Sequence, residues 1–116
     1  MRHFKVGRKL NRTTAHRKSL LKNLAIAVFT HKIIKTTHAK AKEVQKKVEK
    51  IISLGKKNTI ASRRTVFKML NSRSLVKEIF QVIATKYLSR EGGCSQVLKY
   101  KYRSGDGACV SIIKLI

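Results

Sequence analysis

Residues 96–116, QVLKYKYR-SGDG-ACVSIIKLI, decide the fold. The first run alternates toward its end, with Leu98, Tyr100 and Tyr102 set against Lys99, Lys101 and Arg103. The last run is rich in β-branched residues. Ser104-Gly105-Asp106-Gly107 between them is a strong turn signal, so the two runs read as an antiparallel hairpin. A two-residue and a three-residue loop both fit, and they turn opposite faces toward the rest of the chain. A lone hairpin is marginal in water. Working backward, Ile33–Thr37 (IIKTT) is short, β-branched and bounded by polar residues, which predicts a third strand.

The residues between these strands carry helical spacing. Thr13 or Thr14 caps a first helix to about Thr30, with Leu20, Leu21, Leu24 and Val28 as its stripe, supported by Ala25 and Ala27. A second helix spans about Ala39 to Leu54 on Ala41, Val44, Val48, Ile51 and Ile52. Glu43 and Lys47 are a favourable pair worth a few tenths of a kcal/mol. Gly55 is placed to end this helix in the left-handed conformation. Asn58 or Thr59 caps a third helix, with Val66, Phe67 and Leu70 inward and Arg63, Arg64 and Lys68 outward, and Asn71 terminates it. A fourth runs from about Ser74 to Leu88 on Leu75, Val76, Ile79, Phe80, Ile83 and Tyr87. The expected fold class is α+β: about four helices packed on a small sheet made of the short strand and the C-terminal hairpin. Residues 14–116 form one compact domain, preceded by an extended arm over residues 1–13.

That arm opens a strongly basic stretch. Residues 1–18, MRHFKVGRKLNRTTAHRK, hold Arg2, Lys5, Arg8, Lys9, Arg12, Arg17 and Lys18, together with His3 and His16, and no acid. The first carboxylate of the chain is Glu43. So few apolar residues cannot fold alone, and the charges repel one another. Mixed Arg and Lys with Asn11, Thr13 and Thr14 as neutral donors suit a phosphate backbone. The first helix starts directly after the arm, so its free amides and Lys22 point at the same partner. Lys40, Lys42, Lys46, Lys47 and Lys50 on the second helix read either as a solvated face or as further RNA contacts. Tyr100 and Tyr102 among the hairpin lysines read either as core or as base-stacking groups.

The whole chain shares the bias. It has 28 Lys and Arg against 5 Asp and Glu, a net charge of +23, with 42% apolar residues to build a core. Charge of this size opposes compaction and calls for a polyanionic partner. No stretch approaches the roughly 18 uncharged apolar residues of a membrane span. Lys22 and Asn23 interrupt the only candidate apolar region of a secretory signal, so neither membrane nor export is indicated. An arm beginning at Met1 leaves no room for a transit peptide, which favours bacterial cytoplasm over an organelle.

Chemistry is sparse. His3, His16, His31 and His38 have no close metal-ligand spacing, and Cys94 and Cys109 form no CxxC pair. In the hairpin Cys109 lies opposite Tyr102 or Arg103, away from Cys94, so reduced thiols are expected. Five scattered carboxylates form no evident acid–base pair, and nothing local activates Cys94. Gly92-Gly93 and Gly105-Asp106-Gly107 read as turns rather than phosphate cradles. No enzyme, cofactor, metal or small-molecule substrate is expected.

Several segments carry a resemblance. MRHFKVGRKLNRTTAHRKSLLKNLA, then IIKTT with AKAKEVQ, the double glycine, RSGDGA and SIIKLI are together similar to the L-seventeen family of bacterial-type large-subunit ribosomal proteins. The resemblance extends over essentially the whole chain, and its most specific part is the opening motif. It implies a compact α+β domain and a structural constituent of the large subunit. It implies binding to large-subunit ribosomal RNA near the exit of the nascent-chain tunnel, among neighbouring ribosomal proteins. It also implies an arm threaded into RNA through Arg2, His3, Lys5, Arg8, Lys9, Asn11, Arg12, His16, Arg17 and Lys18. The chain departs from the family at His38-Ala39-Lys40, where a Pro is usual, and at Cys94-Ser95-Gln96, where Tyr-Thr-Arg is common. The competing class is a free-standing DNA-architectural protein of the nucleoid, which would share the charge but bind generic duplex.

Overall fold

The computed structural model describes His3 and residues 7–116. Helix α1 is Thr14–His31, strand β1 Ile33–Thr37, α2 His38–Lys57 and α3 Ile60–Leu70. The fourth helix begins as α4 (Arg73–Glu78), takes π geometry over Ile79–Ile83 and closes with a last α-turn over Ala84–Lys86. Strands β2 (Ser95–Tyr102) and β3 (Cys109–Leu115) complete the chain. The sheet is antiparallel in the order β1-β3-β2, so the IIKTT strand joins the hairpin as expected.

Local chemistry sets these boundaries. The Thr13 hydroxyl accepts from the His16 amide at the start of α1. Thr59 and Ser62 make a reciprocal capping box at the start of α3, and the Ser72 hydroxyl caps α4. Lys32, Asn58 and Asn71 close α1, α2 and α3 in the left-handed conformation. Gly55 therefore does not end α2. It stays inside the helix, buried, because a Cβ there would lie 2.8 Å from the Ala84 Cβ. The missing side chain lets α2 approach the fourth helix at its π segment.

Helices cover one face of the sheet. Phe29, Val44, Val48, Ile51, Ile52, Leu70, Ile79 and Ile113 are among the side chains sealed in the core between them. Polar pins hold the layers in register. Glu49 on α2 accepts from the Ser95 amide at 2.8 Å and its hydroxyl at 2.7 Å, and the Tyr87 hydroxyl donates to the Ile116 carbonyl at 2.6 Å. Two side-chain expectations change. Glu43 pairs with Lys46 at 3.1 Å rather than with Lys47. Phe67 is 38% exposed rather than inward.

The hairpin loop is longer than the two or three residues the sequence suggested. The Arg103 amide donates to the Ala108 carbonyl, and the connection lies between that pair. Arg103 donates to both Asp106 oxygens, at 3.1 and 2.5 Å, while the Ala108 amide also donates to Asp106. Gly105 and Gly107 supply the positive φ angles that this closure needs. A bulge at Tyr100, between the paired residues Lys99 and Lys101, breaks the simple alternation read from the sequence. Val97 packs against the core, whereas Leu98, Tyr100 and Tyr102 are exposed. Tyr102 lies opposite Cys109, as expected, and both cysteines are free.

Candidate nucleic-acid interface

The residues just before α1 lead into it through a tight turn. Leu10 and Asn11 both adopt left-handed backbone conformations, and the Arg12 amide donates to the Lys9 carbonyl at 3.2 Å. The Arg12 guanidinium folds back to the Leu10 carbonyl at 2.7 Å, and Arg17 reaches the Lys9 carbonyl at 3.5 Å. Lys9, Asn11, Arg12 and Thr13 thereby surround a shallow hollow of about 520 Å³. Arg12 Nε is shielded from solvent and makes no hydrogen bond among the described residues, leaving a cationic donor unsatisfied. Helix α1 begins beside this hollow with no acid in its first turn, so its amide end favours an anion.

A second basic feature is a furrow of about 320 Å³ lined by Lys18, Ser19, Lys22, Lys47, Lys68 and Met69. Three helices supply its four ammonium groups, and no carboxylate lines it. Burial first, and then the positive charge of Lys22, make Lys47 a weaker base than an ordinary lysine. A phosphate seated between the two ammonium groups would relieve that repulsion.

The remaining expected residues lie elsewhere. Gly7 passes α2, where a side chain at position 7 would meet the Glu43 carboxylate at 3.4 Å. Arg8 is exposed and adds its charge to that of Lys99 and Lys42 around His38, whose ring contacts the Ser111 hydroxyl at 2.8 Å. His3, Lys9, Asn11, His16 and Lys18 are exposed, while Arg12, Arg17 and Lys22 are half-buried. Arg2 and Lys5 lie outside the described residues.

Sequence reasoning did not assemble the furrow. It placed Lys47 and Lys68 on separate helix faces, and only tertiary packing brings them beside Lys18 and Lys22. It left the hairpin tyrosines undecided, and the structure exposes both. Lys35 sits 4.6 Å from the centre of the Tyr100 ring, a cation–π contact on the sheet face away from the helices.

Other chemistries find little purchase among the described residues. No group of three His, Cys, Asp or Glu is placed to hold a metal ion. Burial and the Glu49 charge push the Cys94 thiol up, which makes it a poor nucleophile. No described helix is long and apolar enough to cross a membrane.

Comparison with known proteins adds an independent line. The family model described as Ribosomal protein L17 matches residues 20–116. A curated protein of Allorhizobium ampelinum, named Large ribosomal subunit protein bL17, is 45% identical over 93 residues, which is 80% of this chain and 66% of that protein. The match thus spans slightly less than two thirds of the relative's length.

Proposed function

The chain belongs to the ribosomal protein L17 family, and from that premise we propose that it is a structural, non-catalytic constituent of the large subunit of a bacterial cytoplasmic ribosome. It binds and stabilises large-subunit ribosomal RNA, close to the nascent-chain tunnel exit and beside other large-subunit proteins. The observation that carries the RNA reading is the furrow, where four ammonium groups from α1, α2 and α3 converge without a carboxylate. Residues 14–116 act as the domain that aims the arm, and residues 1–13 act as the arm itself. Arg2, His3, Lys5, Arg8, Lys9, Asn11, Arg12, His16, Arg17, Lys18 and Lys22 are assigned to RNA contact. Arg forks grip phosphate oxygens in pairs and Lys acts as a point charge. Folded RNA can be recognised this way through shape and backbone, without reading bases. The DNA-architectural alternative gains nothing from the family match.

Sedimentation of the full chain and of a chain lacking residues 1–12, which keeps the Thr13 cap, tests the reading. The full chain is expected to travel with the large subunit. Its affinity for large-subunit RNA should drop by roughly 10³ to 10⁵ between 50 and 200 mM salt if about six to ten phosphates are contacted. The truncation should bind far less tightly. A nearly flat salt dependence, or equal preference for duplex DNA, overturns the proposal.

A further inference from the structure

On the other side of Lys68 lies a different kind of surface. An open groove of about 630 Å³ runs between α3 and the fourth helix. Its floor is Ile60, Phe67, Val76 and Phe80, of which Ile60 is 71% exposed. Its rim is five cations: Arg63, Arg64, Lys68, Arg73 and Lys77. No carboxylate, hydroxyl or amide side chain lines it. The rim is partly preorganised, since Arg63 donates to Asn58 Oδ1 at 2.9 and 3.3 Å and its guanidinium lies 5.3 Å from the Phe80 ring centre. Glu78, the carboxylate nearest in sequence, is engaged at 3.2 Å by Lys32.

We propose that this groove docks an amphipathic helix of an acidic protein partner. Its apolar stripe would cover Ile60 and Phe67, the exposed part of the floor above the buried Val76 and Phe80, and flanking carboxylates would meet the rim. Complementarity of charge and of surface type both favour this occupant. Side chains at i, i+3, i+4 and i+7 bury on an aliphatic and aromatic floor with no polar loss. A nucleic-acid base placed there could take donors from the rim cations but would find no side-chain acceptor for its own amino groups, and unpaired polar groups are costly to bury. A second copy of this chain is disfavoured by its own charge of +23. The inference stands apart from the RNA reading, which rests on the arm and the furrow.

The test uses the full chain and two labelled synthetic peptides of about 18 residues, long enough to span the groove as a helix. One carries Leu along one face and Glu elsewhere; the other has the same composition scrambled. At about 0.15 M salt, where long-range attraction is screened, the striped peptide should bind roughly tenfold tighter or better. Its amide resonance shifts should centre on residues 60–80. Ile60→Ala and Phe67→Ala, both at exposed positions, should each remove most of the preference while circular dichroism shows an unchanged fold. Equal binding of the two peptides overturns the proposal, as do shifts centred elsewhere. A short single-stranded RNA that outcompetes the striped peptide at the same resonances, and depends on Phe67, overturns it in favour of RNA.

Discussion

Gly55 shows how much one absent side chain can position. Alanine suits a helix interior by about 1 kcal/mol over glycine. Here its Cβ would sit 2.8 Å from the Ala84 Cβ, an atom that moves only with its backbone. Overpacking of this kind costs about 1–3 kcal/mol, so Gly55→Ala should destabilise the fold in urea by about 1 kcal/mol net. Adding Ala84→Gly should return part of the loss. His38 gives a second residue-scale prediction. Burial, then the charges of Lys99, Lys42 and Arg8, hold its proton affinity below the ordinary 6.5. The unfolded chain therefore binds that proton more readily than the folded one. Stability from this group is full above about pH 6.5 and falls as the pH drops from there through the folded value. Nuclear magnetic resonance should find the His38 midpoint below 6.5, and His38→Gln should flatten the acid limb of the stability curve. Asp106 titrates lower still. Its hydrogen bond to Arg103 and then the one from the Ala108 amide bring it to about 2, against the usual 3.8. Its contribution is present above about pH 3.8 and is lost toward 2. Arg103→Lys should move the carboxyl midpoint back up.

Whole elements were legible in the sequence where spacing and punctuation agreed. IIKTT at residues 33–37 became β1 with those bounds, and Asn71 ended α3 as its residue type suggested. The apolar stripe of α2, from Ala41 to Ile52, is buried at every named position. The capping box at Thr59 and Ser62 is a local device, and Thr59→Ala should cost about 1 kcal/mol in equilibrium unfolding. Part of what failed depended on neighbours distant in sequence, and part on local bonds that spacing does not announce. Gly55 carries a stop signal that packing against Ala84 overrides. The bulge at Tyr100 and the ion-paired loop exchange pairing for local bonds, which no alternation rule reveals. The π segment over Ile79–Ile83 lies beside the same close contact. The candidate site was legible in part for the same reason. The arm announces itself by composition, whereas the furrow needs three helices placed side by side.

For the molecule as a whole, four of the five side-chain carboxylates are already committed to internal bonds. Glu43, Glu49, Glu78 and Asp106 each bind a named partner within the chain. Five acids against 28 cations still leave a net charge of +23. Self-repulsion then opposes folding of the isolated chain, so its Tm should rise between about 0.01 and 0.15 M salt as the screening length shrinks from about 30 to 8 Å. A fall in Tm over that range would contradict this. Changing Lys18, Lys22, Lys47 and Lys68 together to Gln should make the salt dependence of RNA binding shallower by up to about 3 in the log–log slope. The strand order has a bearing on how the chain tolerates its own copies. Among the described residues strand β2 is an open sheet edge, and such an edge is a template on which identical chains can stack into fibres. The unpaired Tyr100 bends that template, and Lys99 and Lys101 set an ammonium on either side of the bend. The free chain thus carries its own guard against edge-to-edge aggregation.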